Sequence, residues 1–310
     1  MKKTLLLLAL VPFFASAQQF KFPKKTGTAT VGITGTQIMI DQGEVAISDW
    51  FAFIYATSCQ DDRLEDFSLL PDTNKMPEKC RYAVRLFLRL FDYTESTLPY
   101  SLYPFWGKNS YQKFYIPMTK EQAKGPDHNK AINELTGQAL LERILDMPVT
   151  GITYEQAQQY LEWRTGLAQE SKDIQKTGYK VKARMMTKEE WTKLANDAGP
   201  HQPENKTAKI DSANAEGCYM LKVKEDKPCK SSAEGIRLYG EGIVTIYSYF
   251  PDRLGLYNMF GNVAEMTQEK GVAMGGSYQD YASACDASKS VSFTGAQPWL
   301  GFRCVLEFYK

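Results

Sequence analysis

Two histidines, His128 and His201, are all the imidazole this 310-residue chain contains. A metal held by three imidazoles is therefore excluded, and a Ser/His/Asp hydrolase would depend on one of two rings set in polar, loop-like surroundings. The chain has no excess of charge. It carries 37 Lys and Arg against 36 Asp and Glu, a formal charge of +1, without the basic surplus of a nucleic-acid binder. It has no CxxC pair for a zinc ribbon or a redox motif, and no GxxxxGK[ST] or strand-linked GxGxxG to cradle a phosphate. Past the N-terminus, no apolar run approaches the ~20 residues of a transmembrane helix. What remains is 43% hydrophobic, a share that suits a globular fold and rules out a disordered chain.

The N-terminus has its own pattern. Lys2 and Lys3 precede the apolar run Leu5–Phe14, and Ala15-Ser16-Ala17 follows. A basic start, a short apolar segment and an Ala-x-Ala site predict a secretory signal peptide over residues 1–17. Gln18, not Cys, follows, which disfavours a lipoprotein. Residues 18–30 read as a flexible polar leader, and the folded domain is expected over 31–310. The export signal points to a periplasmic or secreted protein. In that oxidising setting, the six cysteines favour disulfides over thiolate metal sites.

Local signals place several elements. Val31–Ile40 is rich in strand formers, and Ile47–Tyr55 reads as a helix with Ser48 as its N-cap. Residues 60–80 are charged and proline-containing, bounded by Cys59 and Cys80, and read as a surface excursion. Arg81, Arg85 and Arg89 fall on one helical stripe, read as a solvated face. Thr153-Tyr154-Glu155-Gln156 and Thr187-Lys188-Glu189-Glu190 are capping boxes, in which each threonine and the residue three positions later satisfy one another's free amides. Past Ile243 the chain returns to short strands and turns. One segment, Asn258 to Glu265, sets an Asn and a Glu around a Gly turn, so that hard oxygens could meet as Ca²⁺ requires. A plain turn followed by a structural Glu is the competing reading.

Six stretches, in order, resemble the formylglycine-generating enzyme (sulfatase-modifying factor) family: Gly43–Ser48, Pro148–Ala157, Arg184–Trp191, Gly255–Met266, Gly275–Tyr278 and Leu300–Val305. The resemblance implies one α+β domain of C-type lectin-like fold, poor in regular structure. Trp163-Arg164-Thr165 and Leu70-Pro71-Asp72-Thr73 are similar to members associated with gliding motility or type IX secretion, which suggests a Bacteroidetes envelope.

Active members of that family hold Cu(I) between two cysteines after the Gly-Gly-Ser turn. Here the first position is Asp280 and the second is Cys285. A carboxylate does not replace a soft thiolate for Cu(I), so copper is not expected. The resemblance thus implies a non-catalytic scaffold or binding module whose partner is an envelope protein or a glycan. The alternative is an oxidase of protein cysteine using Cys285 and Ser277. The resemblance also implies a structural calcium ion, ligated by Asn258 and Glu265 side chains and by the carbonyls of Gly261 and Val263. The family's helix cysteine is Leu161 here, so Cys304 needs another partner. Cys59–Cys80 and Cys218–Cys229 each bracket a polar excursion and are expected to close it, leaving Cys285–Cys304 as the third bridge.

N-terminal sequencing of the protein exported from its native cell is expected to begin at Gln18.

Overall fold

The computed structural model describes residues 30–60, 63–92, 143–198, 221–224 and 242–310. The expected signal peptide, all but the last residue of the leader, both histidines and the Cys218–Cys229 pair lie outside these residues.

The fold is mixed α+β, built on two four-stranded sheets and a short ladder. The first sheet opens with the antiparallel hairpin β1 (Thr30–Gly32) and β2 (Ile38–Asp41). The C-terminal strand β10 (Val305–Tyr309) lies against β2, and β5 (Lys180–Arg184) closes the order β1-β2-β10-β5, antiparallel throughout. The second sheet has the order β8-β7-β6-β9, from β6 (Ala264–Met266), β7 (Val272–Met274), β8 (Ser290–Ser292) and β9 (Leu300–Gly301). Its β6–β9 pairing is parallel. The chain passes from β9 through Phe302, Arg303 and Cys304 into β10, so these three residues join the two sheets.

Helix α1 (Ile47–Ser58) buries Ile47, Trp50, Phe51 and Ile54, the spacing of a single helical face. It starts one residue before the expected cap. Ala46 is the N-cap and Ser48 lies inside the first turn, while the Asp49 carboxylate accepts from the Ala46 amide at 3.4 Å. An acidic side chain at that position also suits the positive end of the helix dipole. Helix α2 (Glu78–Asp92) follows, with Arg85 exposed and Arg81 turned back onto the Met76 carbonyl. The expected solvated face thus holds for Arg85, Arg81 is half-buried, and the side chain of Arg89 lies outside the described residues.

Helices α3 (Tyr154–Glu170) and α5 (Lys188–Ala198) start where the capping boxes predict, with the short α4 (Lys172–Gln175) between them. The Gln156 amide donates to Thr153 Oγ1 at 3.2 Å, and the Thr153 amide donates to Gln156 Oε1 at 2.8 Å. The second box closes between Thr187 and Glu190 at 3.1 and 2.9 Å. Gln156 also reaches outward, donating to the carbonyls of Ser68 and Leu70. That contact moors the 60–80 segment, whose Leu64, Leu69 and Met76 are buried. The segment is thus tied by hydrogen bonds and burial.

The Cys59–Cys80 bridge expected from the sequence does not form. Cys59 continues from α1 into the ladder of β3 (Cys59–Gln60) and β4 (Arg63–Leu64), where it faces Leu64. Cys80 instead points into the core from α2, its thiol 3.9 Å from the Met147 sulfur. Burial pushes the Cys80 thiol up to about 12, so it packs as a small apolar group.

Aromatic rings fill the space between α1, α3 and the first sheet. Trp50 stacks on Tyr160 at 5.7 Å and meets Phe302 edge-on at 6.2 Å. Its ring nitrogen donates to the Leu69 carbonyl at 3.0 Å, so the indole is buried with its polar atom satisfied. A second cluster gathers Trp191, Phe260, Met186, Met259, Met274 and Cys285.

Thr153→Ala removes one half of the first box. It is expected to lower stability by about 1 kcal/mol, read as a lower urea midpoint with an unchanged slope.

Candidate functional site

Two turns define the site, and a buried arginine ties one of them to the sheets. The first turn is Gly275–Cys285, leaving β7. Gly276 has φ +67, and a Cβ there would sit 2.6 Å from Cys285 Sγ. Only glycine permits both that backbone and that approach. Ser277 follows, buried, and its hydroxyl and its amide both donate to Asp280 Oδ2, at 2.7 and 2.9 Å. The Asp280 amide returns to the Ser277 carbonyl at 3.0 Å, and the Asp280 carbonyl accepts from the Lys224 amide at 2.8 Å. The carboxylate at the first copper-cysteine position is thus committed to closing a tight turn.

Cys285 is buried beside it. Burial raises its thiol to about 12, and the Asp280 charge adds to that, while the facing amides of Gly261 and Ser277 pull the other way. Almost no thiolate is present at neutral pH. The expected Cys285–Cys304 bridge does not form. Cys285 belongs to the Trp191 cluster and Cys304 to the Trp50 cluster, so the two thiols are buried in different parts of the core. The Cys304 thiol, also raised by burial, lies beside Arg164 and Asp41.

The second turn is Asn258–Glu265, leading into β6. Asn258 and Asn262 both adopt positive φ, 51° and 55°, and both are buried. Their amides converge on one carboxylate. Asn262 Nδ2 donates to Glu44 Oε1 at 2.9 Å, and Asn258 Nδ2 donates to Glu44 Oε2 at 3.2 Å. The Val244 amide donates in turn to Asn262 Oδ1 at 2.9 Å. The two turns touch where the Gly261 amide meets the Gly275 carbonyl and the Tyr278 amide meets the Asn262 carbonyl.

Glu265 lies at the end of the second turn, buried in β6. Its Oε1 accepts from Arg303 Nε at 2.9 Å and Nη2 at 2.6 Å, and its Oε2 accepts from Trp191 Nε1 at 3.0 Å. The remaining Arg303 donors go to carbonyls, Nη1 to Asp41 at 3.1 Å and Gln42 at 2.6 Å, and Nη2 to Tyr257 at 2.6 Å. Burial works against the Arg303 charge, but Glu265 more than offsets it and raises its pKa.

These contacts decide how the expected calcium ligands stand. Asn258, Gly261, Val263 and Glu265 share one turn, but Glu265 offers both oxygens to donors, Oε1 to Arg303 and Oε2 to Trp191. A Ca²⁺ shell needs about six to eight converging oxygens, and a guanidinium already occupies the carboxylate. The residues as arranged do not fit the ion. Among the described residues no cluster of three or more His, Cys, Asp or Glu side chains is placed to hold a metal. Sequence reasoning quoted the Gly301-Phe302-Arg303 and Gly43-Glu44 stretches but assigned Arg303 and Glu44 no role. For Arg303 the signal that could have found it is a lone Arg inside an otherwise apolar stretch, demanding a buried partner; Glu44, close to Asp41 and Gln42, carries no such signal.

A Gly-Gly-Ser turn and an Asn-x-x-Gly-Asn turn, locked by a buried Arg, set in a two-sheet α+β scaffold, define the class of protein. The chain belongs to the sulfatase-modifying factor enzyme 1-like domain family, whose model matches residues 16–308. No curated protein matches the sequence. Among solved structures, PvdO from Pseudomonas aeruginosa is 17% identical over 53% of this chain and 63% of its own, with a TM-score of 0.36. Treponema denticola variable protein 1 is 20% identical over 41% of this chain and 49% of its own, at 0.30. CarF is 22% identical over 41% and 48%, at 0.27. In each case the match spans less than two thirds of the neighbour's length. No helix among the described residues is long and apolar enough to cross a membrane.

Glu44 generates a pH prediction. Burial raises its carboxyl from 4.5 to about 8, against the opposing pull of Arg303. The folded state therefore keeps a proton that the unfolded chain has released, and stability falls as pH rises from about 4.5 to about 8. Glu44→Gln removes this titration. The stability difference between wild type and Glu44→Gln, from denaturant melts, is expected to move against wild type across that window and level off above it.

Proposed function

We propose that this chain is a non-catalytic member of its family, an exported scaffold or binding module of the cell envelope. Its partner is an envelope protein or a glycan, and the setting is a Bacteroidetes-type envelope with gliding or type IX secretion machinery. The observation that carries the reading is the Asp280 carboxylate locked onto the Ser277 amide and hydroxyl at 2.9 and 2.7 Å. Where copper-dependent members hold a thiol pair, this chain spends a hard oxygen on its own turn. Cys285, left beside it, is buried, and its thiol stays protonated. A soft monovalent ion needs sulfur donors that can deprotonate, and neither group supplies one. The turn also presents features that suit recognition. Tyr281 is exposed, and the Lys224 ammonium stands 4.8 Å from the centre of its ring. An aromatic face beside a cation suits stacking and hydrogen bonding with a sugar or a peptide.

Incubating the protein with Cu(I), O₂ and a Cys-x-Pro-x-Arg peptide is expected to give no aldehyde product by mass. Turnover that disappears in Cys285→Ser would overturn the reading in favour of the oxidase.

A further inference from the structure

We infer that the Asn258–Glu265 turn is held by an internal cation, the Arg303 guanidinium, and does not take calcium. The inference stands apart from the catalytic reading, since it concerns what fixes the turn and not what the Gly275–Cys285 turn does.

Both partners are spent on one another and on their surroundings. Arg303 has five N–H donors, and all five are placed: two on Glu265 Oε1 and one each on the carbonyls of Asp41, Gln42 and Tyr257. Glu265 Oε2 takes the Trp191 N–H. Arg303 and Glu265 are each about 1% exposed. A calcium ion on Glu265 would share a carboxylate with a guanidinium already at 2.6 Å, two like charges on one buried group. Removing the guanidinium to make room would strand three carbonyls and a buried charge.

The orientation of Asn258 is set by the protein itself. Its Nδ2 lies 3.2 Å from Glu44 Oε2, 3.3 Å from the Thr245 carbonyl and 3.1 Å from the Ile246 carbonyl. Three acceptors around one atom fix that atom as the nitrogen. The amide is thereby oriented by protein oxygens, and its orientation needs no ion.

Terbium reads this site directly. It is an oxygen-seeking substitute for Ca²⁺, and Trp191, in hydrogen-bond contact with Glu265, would sensitise its emission. Titrating Tb³⁺ into the full protein under tryptophan excitation is expected to give no emission that depends on Trp191, so wild type and Trp191→Phe match. Emission that Ca²⁺ displaces and that Trp191→Phe abolishes would overturn the inference. A second measurement needs no variant. Crystals soaked in Tb³⁺ are expected to show no anomalous peak within ligation distance of the Glu265 carboxylate, and a peak there would overturn it equally.

Discussion

The buried pair of Arg303 and Glu265 is the contact on which the rest of the structure depends. Arg303 sits between β9 and β10, so it occupies the crossing from one sheet to the other. Its other hydrogen bonds reach back to Asp41 and Gln42 at the end of β2 and across to Tyr257. Glu265 passes the connection on to Trp191 on α5. One side chain thereby joins elements separated in sequence by as much as 262 residues. Such a pair gains little over well-packed apolar groups, but losing one member costs about 3–5 kcal/mol, because a charge is left unpaired. It therefore fixes one arrangement of the two sheets in a domain whose strands are two to five residues long.

The two turns divide the chemistry. In the Gly275–Cys285 turn, a carboxylate serves the backbone and a thiol lies protonated in the core. In the Asn258–Glu265 turn, two asparagines serve a carboxylate that burial keeps protonated. Asp280 is spent on its own turn, and Cys285 and Glu44 are withdrawn from water. Tyr281, on the first turn, is exposed.

The legible parts of the sequence were the local ones. Both capping boxes were readable because their partners sit three residues apart and obey a fixed helix geometry. The family motifs were readable for a similar reason: the turns at Gly276 and Gly261 demand particular residues at particular places. The cap falls at Ala46, two positions before Ser48, because Asp49 reaches back three residues to the Ala46 amide. The Cys59–Cys80 and Cys285–Cys304 pairs, which the structure leaves unbridged, are a different matter. Proximity in sequence says nothing about whether a helix turns Cys80 toward the core or toward Cys59, and α2 turns it inward. The guanidinium that holds Glu265 lies 38 residues away, where no local pattern announces it. Asp280 is the opposite case: its departure from the thiol pair was visible in the sequence, and its hydrogen bonds to Ser277 give that departure a structural purpose.

Asn258 and Asn262 carry two demands at once. Each holds a backbone angle that most residues resist, and each aims an N–H at the same carboxylate. Glycine would satisfy the angle and abandon Glu44. Aspartate would tolerate the angle and set an acid against an acid. Glutamine would keep the amide on a longer stem and lose the ease with which a short polar side chain accepts the left-handed turn. Glu44, Asn258 and Asn262 share hydrogen bonds, so the effects of substituting them are coupled. Through them a residue near the start of the chain is tied to a turn more than 200 positions later.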